Sequence, residues 1–125
     1  MTTNLNLRQY PLAAVADCGV ANIGADNGYT ITIPPGGLFD SLTIDTMTAF
    51  DGTTNTLTVS DGTTTFANAV DVKSTGRETV TGIGKFYPNG GVLSVTLAQT
   101  GTATVGRSIV VANYVGLNRQ NEVQN

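Results

Sequence analysis

Between Tyr29 and Thr64 the chain reads as short alternating runs separated by turn residues, and that alternation restricts it to β structure. Tyr29, Ile31 and Ile33 share one face of an extended run, with Thr30 and Thr32 on the other. This period of two is the mark of a half-buried strand. Pro34-Pro-Gly-Gly37 ends the run. Leu38–Thr48 repeats the pattern with Leu42 and Ile44 inward and Thr43 and Asp45 outward, and Thr56–Ser60 repeats it with Leu57 and Val59 inward. Asp51-Gly52, just after Phe50, and Asp61-Gly62 lie between runs as turns; the second has the composition of a tight hairpin that needs positive φ. Threonine supplies 21 of the 125 residues. Its branched Cβ packs well on a pleated surface and is stiff in a helix.

The rest of the chain extends the same reading. Ala13–Ala16 is a short edge strand, since Pro11 just before it cannot donate to a ladder. Asp17–Gly28 reads as a loop ending in Asp26-Asn-Gly28. Thr63–Val72 is either a strand or a strand holding a helical turn at Phe66–Val70, and Lys73–Arg77 is a loop. Glu78–Lys85 is a weak strand broken by Gly82 and Gly84, and Phe86–Gly91 is a turn carrying two aromatics. Val92–Leu97 alternates with Leu93, Val95 and Leu97 on one face, and Gly101–Val105 is a link or short strand. Arg107–Val115 is the strongest strand: Ile109, Val111 and Val115 lie on one side and Val110, Ala112 and Tyr114 on the other. Apolar residues on both faces suit a central strand or one covered by a partner.

The count is about eight short strands at a spacing of roughly 8–15 residues, the signature of an all-β sandwich or barrel. One domain spans residues 1–125, with residues 1–10 as an N-terminal arm and 116–125 as a polar C-terminal tail. A chain of this length buries about two-thirds of its unfolded surface, enough for one core without staples. Aromatics are 6% of the residues and Trp is absent, so the core is expected to rest on Val, Ile, Leu and Ala. Eight strands favour a jelly roll over an immunoglobulin-like sandwich, whose paired Cys and core Trp are missing.

Several function classes are disfavoured. The six basic residues, Arg8, Lys73, Arg77, Lys85, Arg107 and Arg119, are scattered in a chain of net charge −3, whereas nucleic-acid binding needs a clustered basic face. The absence of His removes Ser-His-Asp catalysis and imidazole metal ligation. Cys18, the single cysteine, has no internal partner and reads as a small buried hydrophobe. Leu12–Ala16 is too short an apolar run for a secretory signal, and no run approaches the ~18 apolar residues of a membrane span. The protein is expected to be made in the cytosol and used uncleaved, with no membrane partner.

The remaining motifs reduce to architecture. Asp26-Asn-Gly28, Asp51-Gly52 and Asp61-Gly62 lack the alternating ligands and terminal Glu of a calcium loop and read as turns. Gly82-Ile-Gly-Lys85 is followed by Phe86, not by the Ser/Thr and helix of a phosphate loop. Asp40 and Asp45, or Glu78 with a distant Asp, have no aromatic sugar platform beside them, so a glycosidase pair is disfavoured. Gly76-Arg77-Glu78 reads as a solvated turn. No catalytic, cofactor-binding or metal-binding residue is identified, and an enzyme is not expected. Of the adjacent aromatics Phe86 and Tyr87, one is expected in the core and the other as an interface anchor.

Ile33-Pro-Pro-Gly-Gly-Leu38, Leu42–Thr54 and Thr56–Gly62 together resemble the small β-rich decoration, or cement, proteins of tailed phages over about a third of the chain. The resemblance implies a jelly-roll-like sandwich that assembles as a homotrimer on the capsid exterior, with the major capsid protein as partner and no chemistry of its own. The low fraction of charged residues, 12%, suits a surface held in an assembly. Interface candidates are Leu5, Leu7 and Tyr10 in the arm, Phe86 and Tyr87, and Leu117 and Arg119 in the tail. The alternative is a receptor- or carbohydrate-binding module of a tail or fibre, with Phe86-Tyr87 as its exposed aromatic patch.

Overall fold

The computed structural model describes residues 12–24 and 28–116. The arm, most of the tail and the Asp26-Asn27 part of the first turn lie outside the described residues, and with them Leu5, Leu7, Tyr10, Leu117 and Arg119. The strands are β1 (Leu12–Gly19), β2 (Tyr29–Ile33), β3 (Gly37–Thr48), β4 (Thr54–Ser60), β5 (Thr65–Asp71), β6 (Gly76–Val80), β7 (Lys85–Tyr87), β8 (Gly91–Thr100) and β9 (Arg107–Gly116). A single 3-10 turn, Val20–Asn22, follows β1.

The strands form two antiparallel sheets. One runs β1-β9-β3-β6, with β7 also pairing β3, and the other runs β2-β8-β4-β5. Apart from the β4–β5 hairpin and the β6-to-β7 step, every connection carries the chain from one sheet to the other. β6 and β7 both pair with β3, at Leu42–Thr46 and Gly37–Phe39 respectively, so they are two halves of one interrupted strand. Eight strand positions in this order make a jelly roll. The interruption has a local cause: Gly82 and Gly84 both take positive φ, +70° and +59°, a region Cβ-bearing residues avoid. The loop between the halves is anchored by the Ile83 amide donating to the Asp40 carbonyl at 3.0 Å.

Several local readings are corrected. β1 runs on through Asp17 to Gly19, because each of its eight residues pairs in register with β9. Thr65–Asp71 holds no helical turn; it is a strand with two register shifts, and Ala69 adopts φ +51° where the ladder is interrupted. Strand β6 begins at Gly76, inside the expected loop, and Phe86 and Tyr87 belong to β7, not to the turn after it. Gly101–Val105 is a link without strand pairing.

The core lies between the sheets. Its largest fully buried side chains are Phe39 and Phe50, followed by Ile33, Leu42, Ile44, Leu57, Leu93 and Leu97. Aromatics therefore do more in the core than the composition implies. Phe39 on β3 meets Phe66 on β5 edge to face at 5.0 Å between centroids, joining the two sheets. Between β3 and β9 the buried hydroxyls of Thr46 and Ser108 bond to each other at 3.0 Å, which satisfies both.

Two aspartates in the expected turns hold the loops in place. Asp61 accepts from the amides of Thr63 (2.9 Å) and Thr64 (2.6 Å) and from the Tyr87 hydroxyl (2.9 Å). The hairpin of one sheet is thereby tied to β7 of the other. Burial alone would raise the Asp61 pKa, but these donors, the Thr64 amide foremost, hold it well below the carboxylate range. Burial, then the Asp61 bond, pushes the Tyr87 phenol well above its ordinary value. Asp51 accepts from the Thr104 hydroxyl (2.7 Å), the Thr104 amide (2.6 Å) and the Val105 amide (3.2 Å), which lowers its pKa to about 2. It pins the link that closes over Phe50, where Gly106 at φ +155° leaves no room for a Cβ against the ring.

Tyr87→Phe should cost about 2 kcal/mol in denaturant unfolding, the value of a bond to a charged acceptor, with the fold intact by circular dichroism. Asp51 has a folded pKa of about 2, below the ~3.9 of an unfolded Asp. A lowered folded pKa gives stability that is complete above the unfolded value and is lost as pH falls through the folded one. The melting temperature should therefore hold steady above about pH 5 and fall between about pH 4 and pH 2, and Asp51→Asn should flatten part of that fall.

Candidate assembly surface

The outer faces of the two sheets differ, and the difference follows from strand register. On the β2-β8-β4-β5 sheet most outward positions are hydroxyls: Thr30 lies opposite Ser94, Ser94 opposite Ser60, Thr96 opposite Thr58 and Thr100 opposite Thr54, with Ala98 opposite Thr56 and the 52% exposed Val92 opposite Thr32 among them. Thr54 and Thr100 bond to each other through their hydroxyls at 2.7 Å. Short hydroxyls keep a strand face wetted without charge and retain the β propensity of threonine.

The β1-β9-β3 face carries an apolar row at one end and a second apolar group beyond a polar row. With Phe39, Ala112, Tyr87 and Ala16 turned inward, alternation turns Leu38, Val111, Phe86 and Val15 outward. The pairing places Phe86 beside Leu38 and Leu38 beside Val115, one row across three strands. Two residues further along β9, Asn113 lies between Ala13 and Ser41 and donates to the Ser41 hydroxyl at 3.2 Å. The next row places Val111 between Val15 and Thr43, and the last places Ile109 between Asp17 and Asp45. Val15 is 57% exposed and Phe86 45%, while Leu38, Ile109, Val111 and Val115 are half-buried.

Charge borders this face at one end. Arg107 grips Asp17 with two bonds, 3.0 and 2.8 Å, and Arg77 bonds Asp45 at 2.9 Å. The Arg107 bond lowers the Asp17 pKa, and the same bond raises that of Arg107. Apolar rows bordered by paired, solvated charge share features with protein interfaces, although here the Asn113–Ser41 row divides them and charge borders one end only. Exposed pairs of this kind add little stability and act mainly on orientation and encounter.

The structure separates the two aromatics that the sequence placed together. Phe86 stands outward on this face, whereas Tyr87 is 8% exposed and anchored to Asp61. Lys85 reaches both Asp61, at 3.5 Å, and the Tyr87 ring, at 5.8 Å from its centroid. Val15, Leu38 and Val111 were absent from the sequence-derived interface residues. Arg107–Val115, apolar on both sides, was the available signal, and the rows on the neighbouring strands needed the register.

Cys18 is buried on the inner face, and burial, then the Asp17 charge, raises its thiol pKa to about 11, the wrong direction for a nucleophile. Among the described residues no group of three or more His, Cys, Asp or Glu could hold a metal ion. Nor is any helix among them long and apolar enough to cross a membrane. A shallow depression is lined by Thr53, Thr54, Asn55, Thr56, Asp71 and Lys73, with no ring for a sugar to stack on.

Val15→Lys should leave stability within about 0.5 kcal/mol of the parent in denaturant unfolding, whereas Phe86→Ser should cost about 1–2 kcal/mol with the fold intact, because more than half of that ring is covered.

No family model and no curated protein matches the chain. Among solved structures it is similar to a chain described as "Cyanophage Pam1 capsid asymmetric unit", with a TM-score of 0.65 at 17% identity. The match covers 90% of this chain and 92% of that one, and at this identity it is a likeness of fold.

Proposed function

We propose that this chain is a non-enzymatic structural protein of a phage virion. In this reading it binds the outer surface of the capsid as a homotrimer and stabilises contacts between major capsid subunits. The observation that carries the reading is the face of Phe86, Leu38, Val115, Val111 and Val15, an apolar surface on a rigid sandwich with no accompanying chemistry. The fold likeness to a chain of a phage capsid structure supports the same assignment. So does the resemblance carried by Ile33–Gly62.

A protein in this role needs a stiff body and contacts that repeat. Each contact can be modest, since repetition around a shell multiplies binding through effective concentration. Ligation of the assembled state alone stabilises that state by mass action. The Asp61–Tyr87 and Asp51–Thr104 ties suit the mechanical side, because they fix loops that would otherwise open first. A carbohydrate-binding role draws less support: stacking on a sugar needs a ring beside a polar depression, and the depression at Thr53–Thr56 has none.

Purified protein added to capsids that lack it should co-sediment with them and raise the temperature at which they break open. Phe86→Ser or Val15→Lys should weaken that binding at least tenfold without unfolding the protein. No binding by the parent protein would overturn the proposal. Removing residues 1–8 or 117–125 should also weaken assembly, measured as the fraction of protein retained on capsids; full retention with both removed would show that the ends contribute nothing.

A further inference from the structure

We propose that β1 of one copy pairs antiparallel with β1 of a second copy across a two-fold axis at Val15, so that two β1-β9-β3-β6 sheets become one. This contact is additional to the assembly read above. A two-fold contact closes on two copies, so it is separate from the three-fold contact of a trimer and joins one trimer to the next.

The four sheet edges differ. β2 and β6 are short, β6 carries Arg77 and Glu78, and β5 is broken by two register shifts. Each of these features keeps an edge from pairing. β1 has none of them. All eight of its residues pair in register with β9, and Leu12–Gly19 contains no Pro, Lys or Arg. Its one charge, Asp17, is held near one end by Arg107 of the same chain. Every second residue of such a strand turns its N–H and C=O away from the strand beside it. Among the described residues no other strand pairs with that side. After Gly19 the chain crosses to the other sheet, where Ile23 bridges Leu97.

A second copy supplies a strand that fits this edge. Residues directly opposite in an antiparallel pair share a face, so a two-fold axis has to fall at a residue. With the axis at Val15, Leu12–Cys18 pairs along its whole length: Leu12 opposite Cys18, Ala13 opposite Asp17, Ala14 opposite Ala16 and Val15 opposite its mate. An axis at Ala14 shortens the overlap to Leu12–Ala16. One at Ala16 sets Val15 against Asp17, and one at Asp17 sets like charges opposite each other, which is unfavourable. The Val15 register covers an apolar side chain that is 57% exposed in a single copy. Val111 lies beside Val15 on β9, so the pairing also brings the Val15–Val111 groups of both copies into one unbroken apolar row.

Cysteine cross-linking tests both the contact and its register. In the paired strands the two Val15 Cα atoms are about 4.5–5.5 Å apart, within the span of a disulfide. The two Ala13 Cα atoms are about 13 Å apart by strand rise, and those of Val111, one strand further in on each side, about 14 Å apart by strand spacing. Under mild oxidation Val15→Cys should therefore give a linked pair of twice 12.9 kDa, and Ala13→Cys and Val111→Cys little of it. Buried Cys18, with its raised pKa, stays out of the reaction, and the parent should show no link. The β1 amides should exchange more slowly with solvent as protein concentration rises. Val15→Lys, which sets two like charges together, should abolish that dependence and weaken self-association at least tenfold. The proposal is overturned if Val111→Cys links as readily as Val15→Cys, the mark of face-to-face packing, or if Val15→Cys links no better than Ala13→Cys. It is equally overturned if the β1 amides exchange at one rate at every concentration, whether a segment of the same chain covers the edge or nothing does. Loss of capsid binding with this pairing intact would instead count against the capsid role alone.

Discussion

The antiparallel ladder between β3 and β9 is the constraint on which the rest of the molecule depends. Ten residue pairs, from Gly37–Gly116 to Thr48–Arg107, join strands far apart in sequence. Every other member of that sheet is hung on one of the two: β1 on β9, and β6 and β7 on β3. The ladder sets which side of β9 faces the core, and so it places Val110 and Ala112 inside and Ile109 and Val111 outside. A slip of one residue would exchange these sets and leave the core side with the wrong side chains. Buried Thr46 and Ser108 add a register lock, since their hydroxyls satisfy each other only in this alignment.

From that ladder the two outer faces acquire different roles. The hydroxyl face is wetted and nearly uncharged, and so suited to solvent. The opposite face gathers Phe86, Leu38, Val115, Val111 and Val15 on three adjoining strands and β7, bordered by two ion pairs at one end. Large apolar side chains scattered singly are ordinary on a surface; here they form two groups, the Phe86–Leu38–Val115 row and the Val15–Val111 pair, on either side of the Asn113–Ser41 bond. Three of the four sheet edges are short or broken: β2 and β6 have five residues each, and β5 is interrupted by two register shifts. Such edges discourage pairing with other chains; the fourth edge, β1, is eight residues long with no register shift, so its outer side is open to association beside the apolar face.

How much of this was legible in the sequence differs by element. The strands with clean alternation, Tyr29–Ile33, Thr56–Ser60 and Val92–Leu97, were readable because period two survives any tertiary context. The Asp61-Gly62 hairpin was readable from its turn chemistry, and Gly62 takes φ +94° as such a turn requires. Less legible were features set by partners far away in the chain. The continuation of β1 to Gly19 depends on β9, some ninety residues on. The ties from Asp61 to Tyr87 and from Asp51 to Thr104 join side chains that no local pattern links. Phe86 and Tyr87 could be recognised as divided between core and surface, but which of them pointed inward depended on the pairing of β7 with β3. The assembly surface itself spans four strands, so it became visible only once the register was known.

The central claim is that the apolar β1-β9-β3 face, not the hydroxyl face, meets other virion proteins. Cryo-electron microscopy of capsids carrying this protein tests it most directly. The account predicts a jelly-roll density outside the shell in which Phe86, Val15 and Val111 are covered by a neighbouring chain and the Thr58–Thr96 face is open to solvent. A map with the hydroxyl face in contact and Phe86 and Val15 bare, or one with no density for the protein on the shell, would contradict it.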